Sequence, residues 1–148
     1  MSTRQDPPLS VTRLVRDTCL CLHVQRAARA LARRFDEALR PVELTHGQFS
    51  LLTSLNRPEA PTLGSVAALL AMDRTTLTAN LKPLERRGLV EVAVDRDDKR
   101  SRRLVITEAG RALLRKAVPI WKKTHAQTER LIKRGTPDDL RAALMALS

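Results

Sequence analysis

The run "DRDDKRSRR", residues 95–103, sets three aspartates among five arginines and lysines around a single Ser101. Such a set suits a polyanion. Lysine and arginine neutralise phosphates spaced along a duplex, and an arginine at a turn can enter a narrow, negative minor groove. That arginine needs a fixed rotamer, and an aspartate two residues away can hold a guanidinium by paired hydrogen bonds. On this reasoning Asp98 and Arg100 form a pair, and Arg96, Lys99, Arg102 and Arg103 are candidate phosphate contacts. A solvated charged loop would carry the same run. Position favours the first reading, because the strand-like stretches "LVEVAV" and "RRLVIT" flank the tip and helical segments precede it.

A second set lies just upstream in "RTTLTANLKPLERR". At helical spacing Leu77, Leu81 and Leu84 share one face and belong to a core. The opposite face shows Thr75, Thr76, Ala79, Lys82 and Arg86, flanked by Thr78 and Asn80, with Arg74 at the start. Hydroxyls, an amide and a lysine can reach base edges and phosphates. An ordinary surface helix would have the same periodicity. The absence of acids from 74 to 84 separates the two.

The remaining reactive residues carry less. Cys19 and Cys21 are two apart, which in a continuous helix sets them about 200° from each other. They could then neither bond to each other nor share a metal. A free cysteine is most often a buried, inert thiol. His23, Arg26, His46 and His125 could hold a ligand carboxylate, although plain surface or interface roles are commoner. His23, Arg26 and Phe49 are the candidate ligand-binding residues. There is no Cys-x-x-Cys, no paired histidines at helical spacing, no Gly-rich phosphate loop and no nucleophile elbow. No metal, cofactor or catalytic activity is therefore expected.

These sets need elements to position them. After "DPPLS" an apolar stripe from Val11 to Leu39 predicts one helix of about thirty residues, ended by Pro41. Thr45 caps a second helix, "HGQFSLLTSL", which stops at Asn56–Pro58. Thr62 caps a third, "LGSVAALLA", with Leu63, Val66, Leu69 and Leu70 inward. Only Met72 and Asp73 separate it from the fourth, which Asp73 caps and Gly88 closes. Pro83 should bend or shorten that helix. Two short helices joined so tightly form a helix-turn-helix candidate, and the two strands with the charged tip follow it as a hairpin. Thr107 caps a fifth, long helix bent at Pro119. "TPDD" opens a last one, with Pro137 first and Thr136 and Asp139 in a capping box.

The expected fold is mainly α (α+β). A winged helix-turn-helix would occupy 45–107, and a helical dimerisation region would be built from 9–44 and 108–148.

Composition sets the frame. One domain with a real core fits 148 residues of which 43% are apolar. Twenty-seven Lys and Arg against sixteen Asp and Glu leave a formal charge of +11, which predicts attraction to nucleic acid or an acidic membrane. Phe35, Phe49 and Trp121 are the sole aromatics, with no tyrosine. That argues against single-strand binders, which stack bases on aromatic platforms, and for a duplex. A membrane-surface helix would suit the charge, but the basic residues spread along the whole chain. "MSTRQDPPLS" lacks the apolar core of a signal peptide, no run approaches a membrane span, and two cysteines are too few for a disulfide framework. A cytoplasmic protein is expected.

Taken together, these residues resemble the multiple-antibiotic-resistance regulator (MarR) family from Cys19 to about Ala126. The likeness rests on "LTHGQFSLLTSL", "LGSVAALLAMDRTTLTANLKPLERRGLV" and "DRDDKRSRRLVITEAGRALL". Its most specific piece is Asp98-x-Arg100 followed by Leu104, Thr107 and Gly110. The resemblance implies a homodimeric bacterial transcription regulator on a pseudo-palindromic double-stranded DNA site, and in many members a repressor released by a small aromatic or phenolic ligand bound between the layers. It implies that Thr75, Thr76, Thr78, Asn80 and Lys82 meet the major groove and Arg100 the minor groove. The chain departs from the pattern at Ala79, where arginine is frequent. Cys21, following Leu20, resembles the reactive cysteine of organic-hydroperoxide regulators, but the tyrosines that surround it there are missing. A structural DNA-coating protein without effector is the contrasting reading.

Overall fold

The computed structural model describes residues 6–148. The chain divides into two compact units, Met1–Arg34 and Phe35–Ser148. The first holds α1 (Leu9–Thr18) and most of α2 (Leu20–Leu39). The single long helix expected here is in fact two. Cys19 leaves helical geometry (φ −67°, ψ 111°), although neither proline nor glycine marks the place. Thr18, the last residue of α1, donates its hydroxyl to Leu14 O at 2.7 Å. His23 Nδ1 then donates to Cys19 O at 2.7 Å and secures the restart. Within its own chain α1 buries no residue.

The second unit carries the core. A 3₁₀ turn (Arg40–Val42) leads to α3 (His46–Leu55), α4 (Leu63–Leu69) and α5 (Arg74–Arg86). β1 (Val90–Val94) and β2 (Arg102–Ile106) pair antiparallel, with Val90 opposite Ile106 and Val94 opposite Arg102. α6 (Glu108–Glu129) and α7 (Pro137–Ala146) close the chain. The N-caps follow the hydroxyl and carboxylate chemistry read from the sequence. Thr45, Thr62, Asp73, Thr107 and Thr136 each accept a backbone N–H from three residues on, satisfying donors the helix leaves open. Thr45 and Thr136 complete reciprocal capping boxes with Gln48 and Asp139.

The core is a leucine cluster. Leu39, Leu52, Leu55, Val66, Leu77, Leu81, Leu84, Val90 and Leu104 are fully buried. They come from each α-helix and strand between α2 and β2, so the helix-turn-helix and the hairpin share one interior. Leu69 is a correction: it faces outward and is 61% exposed. The reason is that α4 ends there. Leu70 caps it and Ala71 turns left-handed (φ 51°), so four residues, not two, connect α4 to α5. Met72 N–H donates to Ala67 O and Ala71 N–H to Ala68 O, a Schellman turn.

The turn after α5 is the same motif with glycine in place, Gly88 at φ 70°. Gly110, on the first turn of α6, answers a different need. A Cβ there would collide with Leu89 O and lie 2.8 Å from Ile106 Cγ1. Glycine thus lets α6 seat directly on the hairpin base. Pro83 stays inside α5, which runs on to Arg86.

Candidate nucleic-acid interface

α5 sorts its residues as a half-buried helix should. Leu77, Leu81 and Leu84 point into the core, while Arg74, Thr75, Thr76, Thr78, Ala79, Asn80, Lys82 and Arg86 lie outside it and are all exposed, with Pro83 half-buried between the two sets. Two hydroxyl protons on that face are already used. Thr76 Oγ1 donates to Asp73 Oδ2 at 2.7 Å, and Thr78 Oγ1 to Arg74 O at 2.8 Å. Both threonines keep a methyl group and lone pairs for an outside partner. Asn80 Nδ2 lies 3.5 Å from Met72 Sδ, a weak contact a better acceptor would replace. Asp73 holds the start of α5. Its carboxyl sits below the usual aspartate range, first because Thr76 N–H donates to it and then because the Thr76 hydroxyl does. The other end is tied by Arg87, whose Nη1 donates to Glu43 O at 2.7 Å.

The charged tip differs from expectation in its internal bonding. Asp98 does not hold the Arg100 guanidinium. Its Oδ1 accepts the Arg100 backbone N–H at 3.0 Å, and its carbonyl accepts Ser101 N–H at 2.9 Å. This is an Asx-type turn, which leaves the Arg100 side chain to project from a fixed backbone. Arg96, Lys99 and Arg100 are exposed. Arg102 folds back, its Nη1 donating to Lys99 O and Ser101 O at 3.1 and 3.3 Å.

The aspartate that does hold a guanidinium is Asp95. Its Oδ2 lies 3.2 Å from Arg103 Nη2, and Arg103 Nη1 donates to Ala60 O at 2.9 Å. The Asp95 carboxyl is held below its ordinary range by Asp97 N–H first and by Arg103 after it. Arg103 is thus a half-buried tie and not a free cation. The pairing was missed because the residues are eight apart. A signal existed in the hairpin register: Asp95 lies across from Ser101, so Arg103 is its diagonal neighbour on the same face.

Comparison with known proteins decides the family. Residues 44–101 match the model of the MarR family. The organic hydroperoxide resistance transcriptional regulator of Bacillus subtilis (strain 168) is 31% identical over 101 residues, 68% of this chain and 69% of the relative. The chain belongs to the MarR family. The HTH-type transcriptional regulator TtmR of Methylorubrum extorquens (strain PA1) is 36% identical over 111 residues. That match covers 75% of this chain and only 54% of the relative, so the chain spans about half of TtmR. Among solved structures, the transcriptional regulator MosR of M. tuberculosis in complex with DNA superposes with a TM-score of 0.80 at 38% identity. It covers 88% of this chain and 93% of that one.

The remaining candidates of this MarR-family chain separate by unit. His23 and Arg26 lie in the first, lining an open groove on α2 with Ala27, Ala30 and Arg33. Phe49 lies in the second and is buried, stacked on Trp121 at 5.9 Å between centroids. Trp121 in turn stacks on His125 at 4.6 Å. Phe49 and Trp121 line a shallow groove with Ser50, Thr53, Arg57 and Leu69. His46 is engaged with Asp36, which accepts both its backbone N–H at 2.7 Å and its ring N–H at 2.8 Å.

Both cysteines are free thiols. Cys19 is half-buried, and because it sits at the helix break the angular argument from a continuous helix fails. Cys21 is exposed rather than buried, with Gln25 Nε2 3.2 Å from its sulfur. Among the described residues no group of three His, Cys, Asp or Glu could hold a metal ion, and no helix is long and apolar enough to cross a membrane.

Proposed function

We propose that this MarR-family protein is a homodimeric, sequence-specific transcription regulator of double-stranded DNA and not an enzyme. The observation that carries this reading is the acid-free exposed face of α5, Thr75 to Lys82, joined through β1 to a hairpin tip with three exposed cations. Asn80 and the threonines read base edges. Arg74, Lys82, Arg86, Arg96, Lys99 and Arg102 meet phosphates, and Arg100 enters the minor groove. Asp98 shapes the turn that presents Arg100. Residues 45–107 act as the DNA-binding part. The helices of 9–44 and 108–148 supply the contacts between copies, on a pseudo-palindromic site. MosR, solved with DNA, supports the partner class.

Titration of a labelled duplex carrying the bound sequence tests the reading. Asn80→Ala should change which base is preferred at one position of each half-site. A uniform loss across all sequences would remove Asn80 from base readout.

The regulator acts as a repressor released by a small aromatic or phenolic ligand, for which the groove of His23 and Arg26 and the groove of Phe49 and Trp121 are separate candidates. A second reading, release by peroxide at Cys21, is favoured by the exposure of that thiol and by the B. subtilis relative's name. Peroxide titration separates the two. Loss of DNA binding that Cys21→Ser abolishes supports the thiol. Unchanged binding with both thiols still free by mass leaves the ligand.

A further inference from the structure

Asp95 and Arg103 have no place in the DNA contacts proposed above, yet together they tie the hairpin to the chain before α4. β2 is held on both edges. β1 lies along one, and on the other Arg103 forms a bridge with Thr62 while Leu104 N–H donates to Pro61 O at 2.9 Å. The Arg103 guanidinium spans the same junction, with one nitrogen on Ala60 O and the other on Asp95. Thr62 is the N-cap of α4, where its hydroxyl accepts Ser65 N–H at 3.1 Å. α4 packs against α5. A continuous set of bonded groups therefore runs from the base of the charged tip, through 60–62, to the helix pair that carries the base-reading face.

We infer that Asp95 and Arg103 are positioning residues: a latch that fixes the hairpin to the α3–α4 connection and so sets where Arg100 stands relative to α5. The inference rests on the duplex-binding reading. Its physical basis is the commitment of both partners. Arg103 has two of its nitrogens donating inside the protein and is only 36% exposed at the side chain, and Asp95 is 12% exposed. A guanidinium so engaged is a poor phosphate ligand. A carboxylate beside a phosphate-binding tip repels the same phosphates, so it lowers affinity unless its positioning effect is larger. The sign of its removal therefore separates the two roles.

The test compares wild type, Asp95→Asn, Arg103→Lys and Arg103→Gln on one selected duplex, by anisotropy across a salt series, with amide hydrogen exchange on the free proteins. The latch predicts that Asp95→Asn binds about tenfold more weakly despite losing a negative charge, the size of one charge-assisted hydrogen bond. Arg103→Lys should weaken binding similarly, because lysine keeps the charge but not the two-pronged grip. Neither should change the salt slope, and in both the Leu104 amide should exchange faster while amides of the α5 core keep their protection.

Tighter or equal binding by Asp95→Asn overturns the latch. So does wild-type behaviour of Arg103→Lys together with a slope reduced by about 0.9 in Arg103→Gln, which would make Arg103 a phosphate contact. If wild type binds no selected duplex, the DNA reading fails. Exchange at Leu104 then decides the latch alone: acceleration supports it, and an unchanged rate overturns it.

Discussion

Arg100 and Asp98 show how a short polar sequence divides its labour. The aspartate holds the backbone of the turn, so the arginine projects without an ionic partner competing for it. Replacing Arg100 with alanine should therefore weaken duplex binding and lower the salt slope by about 0.9 per lost phosphate contact, with thermal stability unchanged. An unaltered affinity would remove Arg100 from the interface. What the sequence made legible here was the presence of basic residues and their place at a tip. What it hid was which acid serves which base. Spacing suggested Asp98 with Arg100, but strand register pairs Asp95 diagonally with Arg103. Register is a property of two strands and is invisible while residues are counted along one.

At the scale of elements, caps were the most readable feature, because hydroxyls and carboxylates at N-termini act locally and need no tertiary context. Thr107 serves two partners, since its Oγ1 accepts Gly110 N–H and donates to Gly88 O at 2.7 Å. Thr107→Ala should cost about 1 kcal/mol or somewhat more, read as a fall of roughly 2–4 °C per kcal/mol in melting temperature. The turns were less readable. Four of them use left-handed geometry, at Glu43, Ala71, Gly88 and Gly135, and only the two glycines carry the residue that announces it. Ala71→Gly should raise stability by roughly 0.5–1 kcal/mol by relieving the left-handed strain; a lower melting temperature would contradict this. The break at Cys19 was hidden too, since neither proline nor glycine marks it. Gly110 gives the sharpest steric case. Gly110→Ala should destabilise by several degrees, because the opposing atoms are the Leu89 backbone and a buried Ile106.

Asp36, Asp73, Asp95 and Asp139 all have carboxyls depressed by hydrogen bonds, in each case first from a backbone N–H. Their folded-state values lie below the unfolded value of about 3.9. The stability they contribute is complete above that value and is lost as pH falls through the lower, folded ones. Melting temperature should hold on acidification to about pH 5 and then drop, and Asp73→Asn should make the drop shallower. A melting temperature that stays level down to about pH 2 would contradict the assignment.

For the whole molecule, the decisive features are the charge of +11 and the apolar faces that a single copy leaves open. α1 and α7 bury no residue in their own chain, and Leu9, Leu14, Met145 and Leu147 are each more than half exposed. Apolar helices of this kind need a partner surface, and a second copy meets that need while doubling the cationic surface. Sedimentation should report twice the chain mass at micromolar concentration, and Leu144→Glu with Met145→Glu should shift it toward single chains. Winged-helix class, helix order and the family likeness were all legible from residue patterns. Which helices break, and which side chains lock the hairpin, required the folded geometry.

Two copies presenting α5 and the charged tip to two halves of one duplex should leave a plain mark on the DNA they bind. Selection of bound fragments from total genomic DNA reads that mark. Enrichment of an inverted repeat is expected, with half-site centres about 10 base pairs, or a multiple of it, apart. Enriched fragments sharing no repeat, with coverage uniform along the DNA, would contradict it.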